Sequence, residues 1–170
     1  AASENHLGEV GGRQVTVGVE FPRPADTTAY AALDAVSDST SAPTVLTFAG
    51  MARVNAGSGY IVKARLMTNQ SANVTQFRLH LFNVAPTPIN DNAAYTLLYA
   101  NAVARVGEID FPALKTEGSG STAANGILTP GAGNVPLGFV AAAGSQSLFG
   151  LLEARGAFTP ASAQKFYVFL

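Results

Sequence analysis

The residues best suited to chemistry in this sequence are two histidines and a few carboxylates. His80 lies beside Arg78 in an alternating segment, and His6 lies near the start of the chain. A catalytic histidine needs an orienting carboxylate and a positioned nucleophile. No G-x-S-x-G motif follows a predicted strand. We therefore interpret His80 as a surface or interface residue and not as a general base.

Two carboxylates are spaced so that they could act together. Glu108 and Asp110 are two residues apart on one strand face, which places them about 7 Å from each other. Paired carboxylates can perform acid–base work. The simpler interpretation, which we favour, is a solvated strand edge or an ion pair with Lys63, Arg65 or Arg78 across the sheet.

Metal and phosphate sites find little support in the sequence. Asp34, Asp38 and residues 90–92 offer oxygen ligands, but none matches a calcium-loop motif. The absence of Cys and the scarcity of His disfavour zinc. The glycine-rich segments 118–120 and 131–133 contain no Lys that could contact a phosphate. We predict no metal and no cofactor.

The charge content points to a function in assembly. There are 10 Lys and Arg against 11 Asp and Glu, so neither nucleic acid nor an anionic membrane is an expected partner. Charged residues make up 12% of the chain, roughly half the usual fraction. A surface of Ala, Gly, Ser, Thr and Asn is cheap to desolvate and suits burial against other subunits. Residues 1–6 lack the pattern of a signal peptide.

Period-2 alternation dominates the chain and predicts strands. Residues 13–21 alternate with four apolar side chains on one face. Residues 60–67 and 76–82 are predicted to form an antiparallel pair with one wet face each. Lys63 and Arg65 would lie on the wet face of the first strand, and Phe77, Leu79 and Leu81 would point inward from the second.

The remaining segments complete an all-β prediction. Further strands are expected at 45–48, 106–111, 137–140, 147–155 and 165–170, residues 93–104 fit either a helical turn or a strand, and 115–133 is predicted as a loop. Long connections favour a sandwich of two sheets in which the chain crosses from one sheet to the other between successive strands. We predict an antiparallel β-sandwich, jelly-roll-like, of about eight strands. It forms one domain over residues 13–170, preceded by an extended arm over 1–12.

Several segments together resemble a family of tailed-phage and prophage virion proteins encoded among head genes, the capsid decoration or cement proteins. The segments are 21–30, 57–66, 77–83, 91–95, 107–112 and 148–163. The resemblance implies a trimeric β-sandwich on the outer surface of the capsid, bound to neighbouring major capsid subunits. It implies no catalytic residues. The Gly, Ala and Ser stretch after Gly118 departs from the family.

The sequence thus favours a non-enzymatic structural protein of the virion, made in the bacterial cytoplasm. Its expected partners are the major capsid protein and its own copies, as a homotrimer. The residues expected to make protein contacts are His6 in the arm and Lys63, Arg65, Arg78 and His80 on the sheets. An alternative is a tail-fibre or appendage module that binds a host glycan or receptor, although no Trp is present to stack on sugars. A hydrolase that uses His80 and Glu108 is a third, disfavoured hypothesis.

Overall fold

The computed structural model describes residues 14–170, and the expectations for the arm and His6 fall outside that range. Within it lie twelve strands and one short helix. The strands are β1 (Gly18–Pro22), β2 (Ala35–Val36), β3 (Leu46–Phe48), β4 (Ser58–Ile61), β5 (Ala64–Thr68), β6 (Phe77–Phe82), β7 (Arg105–Phe111), β8 (Lys115–Thr116), β9 (Ala124–Leu128), β10 (Leu137–Val140), β11 (Leu148–Ala154) and β12 (Lys165–Phe169). The helix α1 spans Tyr99–Ala102.

Most of the strands form two antiparallel sheets packed face to face, and β4 and β10 form a small third sheet. The first sheet has the order β1-β12-β5-β9-β8, and the second has the order β2-β11-β6-β7, with β3 also paired to β11. Eight of the strands have the order β1-β12-β5-β9 in the first sheet and β3-β11-β6-β7 in the second, which is the jelly-roll order. The predicted all-β sandwich is confirmed. The strand count exceeds eight because the short β2, β4, β8 and β10 supplement these eight strands.

Alternating apolar residues from both sheets build the core. Phe77, Leu79 and Leu81 of β6 are fully buried, as the alternation predicts. They face Leu66 and Phe166 of the first sheet, and the Phe77 and Phe166 rings meet edge to face at 5.4 Å. Full burial of such a side chain stabilises a fold by roughly 1.5–3 kcal/mol.

The prediction of one continuous strand over residues 60–67 is wrong, because the chain passes from one sheet to another within this segment. β4 ends at Ile61 and pairs with β10, whereas β5 begins at Ala64 and pairs with β12 and β9. Ile61 and Ala64 are both buried although they are three positions apart in the sequence. A straight strand would place them on opposite faces. The chain therefore bends at Val62 and Lys63.

The predicted pairing of this segment with 76–82 is also wrong. β6 pairs with β11 and β7 in the second sheet, so β5 and β6 face each other across the core. The segment 115–133 is not entirely a loop, because β8 and β9 form within it and Ala124, Gly126 and Leu128 point inward. Residues 93–104, left open by the sequence, contain the helical turn α1.

Candidate functional site

The residues predicted for protein contacts do not form one patch. Lys63 and Arg65 lie at the junction of β4 and β5, where they line a groove. Arg78 and His80 lie on the outer face of β6, in the other sheet. These four residues therefore lie at two separate places, the outer face of β6 and the groove.

The first place is a network of ion pairs on the outer face of β6, β7 and β11. The Arg78 guanidinium donates two hydrogen bonds to Asp110, at 2.6 and 3.0 Å, and lies 3.3 Å from Glu108. The predicted cross-strand ion pair is thus confirmed for Arg78. Its hydrogen bonds lower the pKa of the Asp110 carboxyl. Arg105 pairs with Glu108, and these charges satisfy one another within the sheet.

His80 differs from the expected surface residue because it is buried, with 3% of its surface exposed. The Tyr95 ring, from the β6–β7 connection, stacks on the imidazole at 3.9 Å and covers it. His80 Nε2 lies 2.5 Å from Glu153, and an Arg105 nitrogen lies 3.3 Å from its Nδ1. Arginine can only donate, so Nδ1 accepts and Nε2 carries the proton that Glu153 accepts.

This geometry fits a neutral histidine with a structural role. Burial lowers the pKa of the His80 imidazole, although the Glu153 carboxylate opposes the shift. Burial also raises the pKa of the covering Tyr95 phenol to about 12. Among the described residues, no hydroxyl hydrogen-bonds to the ring as a nucleophile would. The cluster joins β6, β7 and β11 and leaves His80 no free surface for a partner.

Sequence reasoning missed a second buried cluster, which connects residues 23–30 to the β6–β7 connection. The Arg23 guanidinium donates to Asp91 at 2.9 Å and to the Tyr30 hydroxyl at 2.8 Å. The Tyr30 hydroxyl in turn donates to Asp91 at 2.5 Å. Burial raises the pKa of the Tyr30 phenol, so the hydroxyl stays protonated as a donor. Because Arg23 and Asp91 are 68 residues apart, no local pattern could reveal the pair.

The groove at the β4–β5 junction has a volume of about 670 Å³. The buried side chains of Ile61 and Phe139 contribute apolar surface, and Tyr60, 74% exposed, lies at its edge. The Arg65 guanidinium lies over the Phe169 ring at 4.1 Å from its centroid. The sequence placed Arg65 in a contact role but could not show the groove, because Phe139 and Phe169 come from distant segments.

A second exposed surface lies on the β6–β7 connection and the end of β10. We call it the apolar patch, and its members are large apolar side chains at least 44% exposed: Val84, Leu98, Tyr99, Val103 and Val140. The backbone N–H of Asn83 donates to the backbone carbonyl of Ala104 at 2.9 Å. This bond joins the segments that carry their chain neighbours Val84 and Val103. The Asn83 side chain also donates to the Val140 carbonyl at 3.2 Å. These two hydrogen bonds link the three segments on which Val84, Val103 and Val140 lie.

The connection that carries most of the apolar patch has almost no charge. From residue 83 to residue 104 the one Asp, Glu, Lys, Arg or His is Asp91, which is buried against Arg23. The helix α1 buries none of its residues, and Tyr99 and Val103 are 90% and 86% exposed. Contiguous exposed apolar surface is typical of a site that another molecule covers.

Comparisons with known proteins leave the family open. No family model matches the chain, and neither a curated protein nor a solved structure matches it. Over residues 14–170, no helix has the length and apolarity needed to cross a membrane. The same residues contain no group of three His, Cys, Asp or Glu side chains placed to hold a metal ion.

Proposed function

We propose that this protein is a virion structural protein that decorates the outer surface of a phage head and stabilises contacts between major capsid subunits. The observation that carries the proposal is the apolar patch on an uncharged connection. Tyr99 and Val103 expose nearly their whole side chains in the single chain. Burial of such side chains against a shell would stabilise the complex and, by mass action, the shell itself.

The architecture is compatible with the proposal. Jelly rolls occur in viral capsid proteins and also in lectins and enzymes. A homotrimer, the oligomeric state we propose, would present three apolar patches at once. Simultaneous binding raises the apparent affinity through effective concentration, so each patch can be small.

Decoration of naked capsids tests the proposal. The protein is mixed with capsids built from the major capsid protein of the same phage, and bound protein is measured by co-sedimentation. We expect saturable binding at a fixed ratio to capsid subunits. Binding to cells or to a sugar array without any binding to capsids would contradict the proposal and favour the appendage module.

A double substitution tests the apolar patch. Tyr99→Ser with Val103→Ser should weaken capsid binding by roughly tenfold or more, because two apolar side chains lose their burial in the complex. Thermal stability should change little, since α1 buries nothing in the free chain. Val74→Ser is the matched control, because Val74 is 57% exposed and lies near the other end of β6. Equal binding by the double variant and the control would contradict this role.

A further inference from the structure

Among residues 14–170, every charged side chain that lines the groove at the β4–β5 junction is positive. Arg53, Lys63 and Arg65 line it, and no Asp or Glu side chain from this part of the chain does. Low-dielectric walls focus the potential of such a cleft and favour an anionic occupant. The charge of this surface therefore differs from the near-zero net charge of the whole chain.

These cations are unusual in having no acidic partner within the described chain. Nine of the ten Lys and Arg residues fall in residues 14–170, since the tenth is Arg13. Five of the nine form ion pairs, namely Arg23, Arg78, Arg105, Arg155 and Lys165. Four remain, and three of these four line the groove. Positive charge without a partner is thus concentrated at one place.

The rest of the lining is apolar and aromatic. Ile61 and Phe139 are buried, and Ile127 is 47% exposed. The Arg65 guanidinium lies over the face of the Phe169 ring. An occupant that satisfies this surface needs carboxylates for the cations and an apolar side chain for the hydrophobic lining. A fully polar anion would leave the aromatic surface uncovered.

The groove is continuous with the surface that we propose to bind the shell. Tyr60 and Phe139 line both the groove and a neighbouring cleft, which Val140 of the apolar patch also lines. A protein that covers the apolar patch can therefore extend a segment into the groove. We propose that the groove binds an extended acidic segment of the shell protein, in which an apolar side chain accompanies the carboxylates. This inference rests on the proposed function for the source of the segment.

A short peptide tests the chemistry of the groove without any capsid. The probe is a fluorescein-labelled peptide of alternating glutamate and leucine, and its binding to the full chain is followed by fluorescence anisotropy. We expect binding that weakens as salt rises, because ion pairs at a surface are screened. A matching peptide with lysine in place of glutamate should not bind. Equal binding of the two peptides, or binding of oleate but of neither peptide, would overturn the proposal.

A charge reversal assigns the binding to the groove. Arg53→Glu with Lys63→Glu should weaken peptide binding by roughly tenfold or more, since like charges now face the carboxylates. Both side chains are exposed, so the fold should be unaffected. Lys115→Glu is the matched control, because Lys115 is exposed, forms no ion pair in residues 14–170 and lies outside the groove. An equal loss in the control would overturn the assignment.

Capsid binding separates this inference from the proposed function. We expect the charge-reversal variant to bind capsids more weakly than the Lys115→Glu control. If both variants decorate capsids as the unaltered protein does, the groove inference fails and the decoration function stands. If the peptide binds the groove but no variant or unaltered protein binds capsids, the proposed function fails and the shell is not the source of the segment.

Discussion

At the residue scale, the interior of the molecule pairs each buried charge with a partner of opposite sign or a hydrogen-bond donor. Arg23 has no exposed side-chain surface and contacts Tyr30, Asp26 and Asp91. Removal of one partner from a buried ion pair leaves an uncompensated charge, which is costly. Arg23 and Asp91 thus join the N-terminal part of the chain to the connection that carries the apolar patch.

Asp91→Asn should destabilise the protein by about 3–5 kcal/mol, because Arg23 would stay buried without its anion. Urea unfolding followed by circular dichroism measures the free energy of unfolding. Asp26→Asn is the control on the same guanidinium, and loss of its more exposed ion pair should lower the free energy of unfolding much less than loss of the Asp91 pair. Similar losses in the two variants would show that burial of the Asp91 pair has little energetic weight.

His80 should make stability depend on pH. Its pKa is lower in the folded protein than the ordinary value of about 6.5, so the unfolded chain takes up a proton first as the pH falls. The free energy of unfolding should therefore be highest above about pH 6.5 and should decrease as the pH falls below it. Asp110 stabilises the fold as a carboxylate, and its pKa is lowered in the folded protein. Its contribution to the free energy of unfolding is therefore lost only near and below the ordinary carboxyl pKa of about 4.

Urea titrations at several pH values above and below about 6.5 check this dependence. His80→Gln should remove the decrease in the free energy of unfolding that begins near the ordinary histidine pKa, because glutamine does not titrate. Persistence of the full decrease in this variant would assign it to another group.

Sequence reasoning reached some of these contacts and missed others for identifiable reasons. The Arg78 ion pair could be predicted, because alternation placed Arg78, Glu108 and Asp110 on outer strand faces. The burial of His80 could not, since it depends on Tyr95 in a segment with no clear periodicity. Strand alternation fixes the face of a residue but not what covers that face.

At the element scale, the small sheet of β4 and β10 places aromatic residues opposite glycines on its two strands. Phe139 pairs with Gly59 and Tyr60 pairs with Gly138 across the two strands. A Cβ on Gly59 would lie 2.8 Å from the Phe139 ring, closer than real contacts allow. The absence of a side chain at position 59 lets the buried Phe139 pack against β4 and line the groove.

Gly59→Ala should therefore destabilise the protein by about 1–3 kcal/mol and displace Phe139, because the ring is buried and cannot move freely. Gly138→Ala is the matched control. Its Cβ would lie 3.3 Å from the ring of Tyr60, which is exposed and can move away. Thermal unfolding of both variants measures the difference, and equal melting temperatures would show that the close approach at Gly59 is not required.

Element boundaries were the least predictable part of the fold. The alternation from residue 60 to residue 67 suggested one strand, and the bend at Val62 and Lys63 became visible through the burial of both Ile61 and Ala64. β9 was hidden in a small-residue segment because Ala124 and Gly126 carry little hydrophobic signal. Such residues form strands when neighbouring strands fix their register.

At the scale of the whole molecule, the sandwich could be predicted because its signal is distributed over many strands. Alternating apolar residues and long connections both indicated two antiparallel sheets, and the observed strand order is that of a jelly roll. The apolar patch could not be predicted, because exposure of Tyr99 and Val103 arises where no element of residues 14–170 packs over α1. The proposed decoration function depends on that surface.

The measurement that tests the central claim most directly is hydrogen–deuterium exchange over residues 83–104 with and without capsids. The account predicts that backbone amides in and around α1 exchange readily in the free protein and become protected on the shell. It predicts no comparable protection for the turn that contains Val74. Unchanged exchange over residues 83–104 in capsid-bound protein would contradict the claim that this surface is covered by the shell.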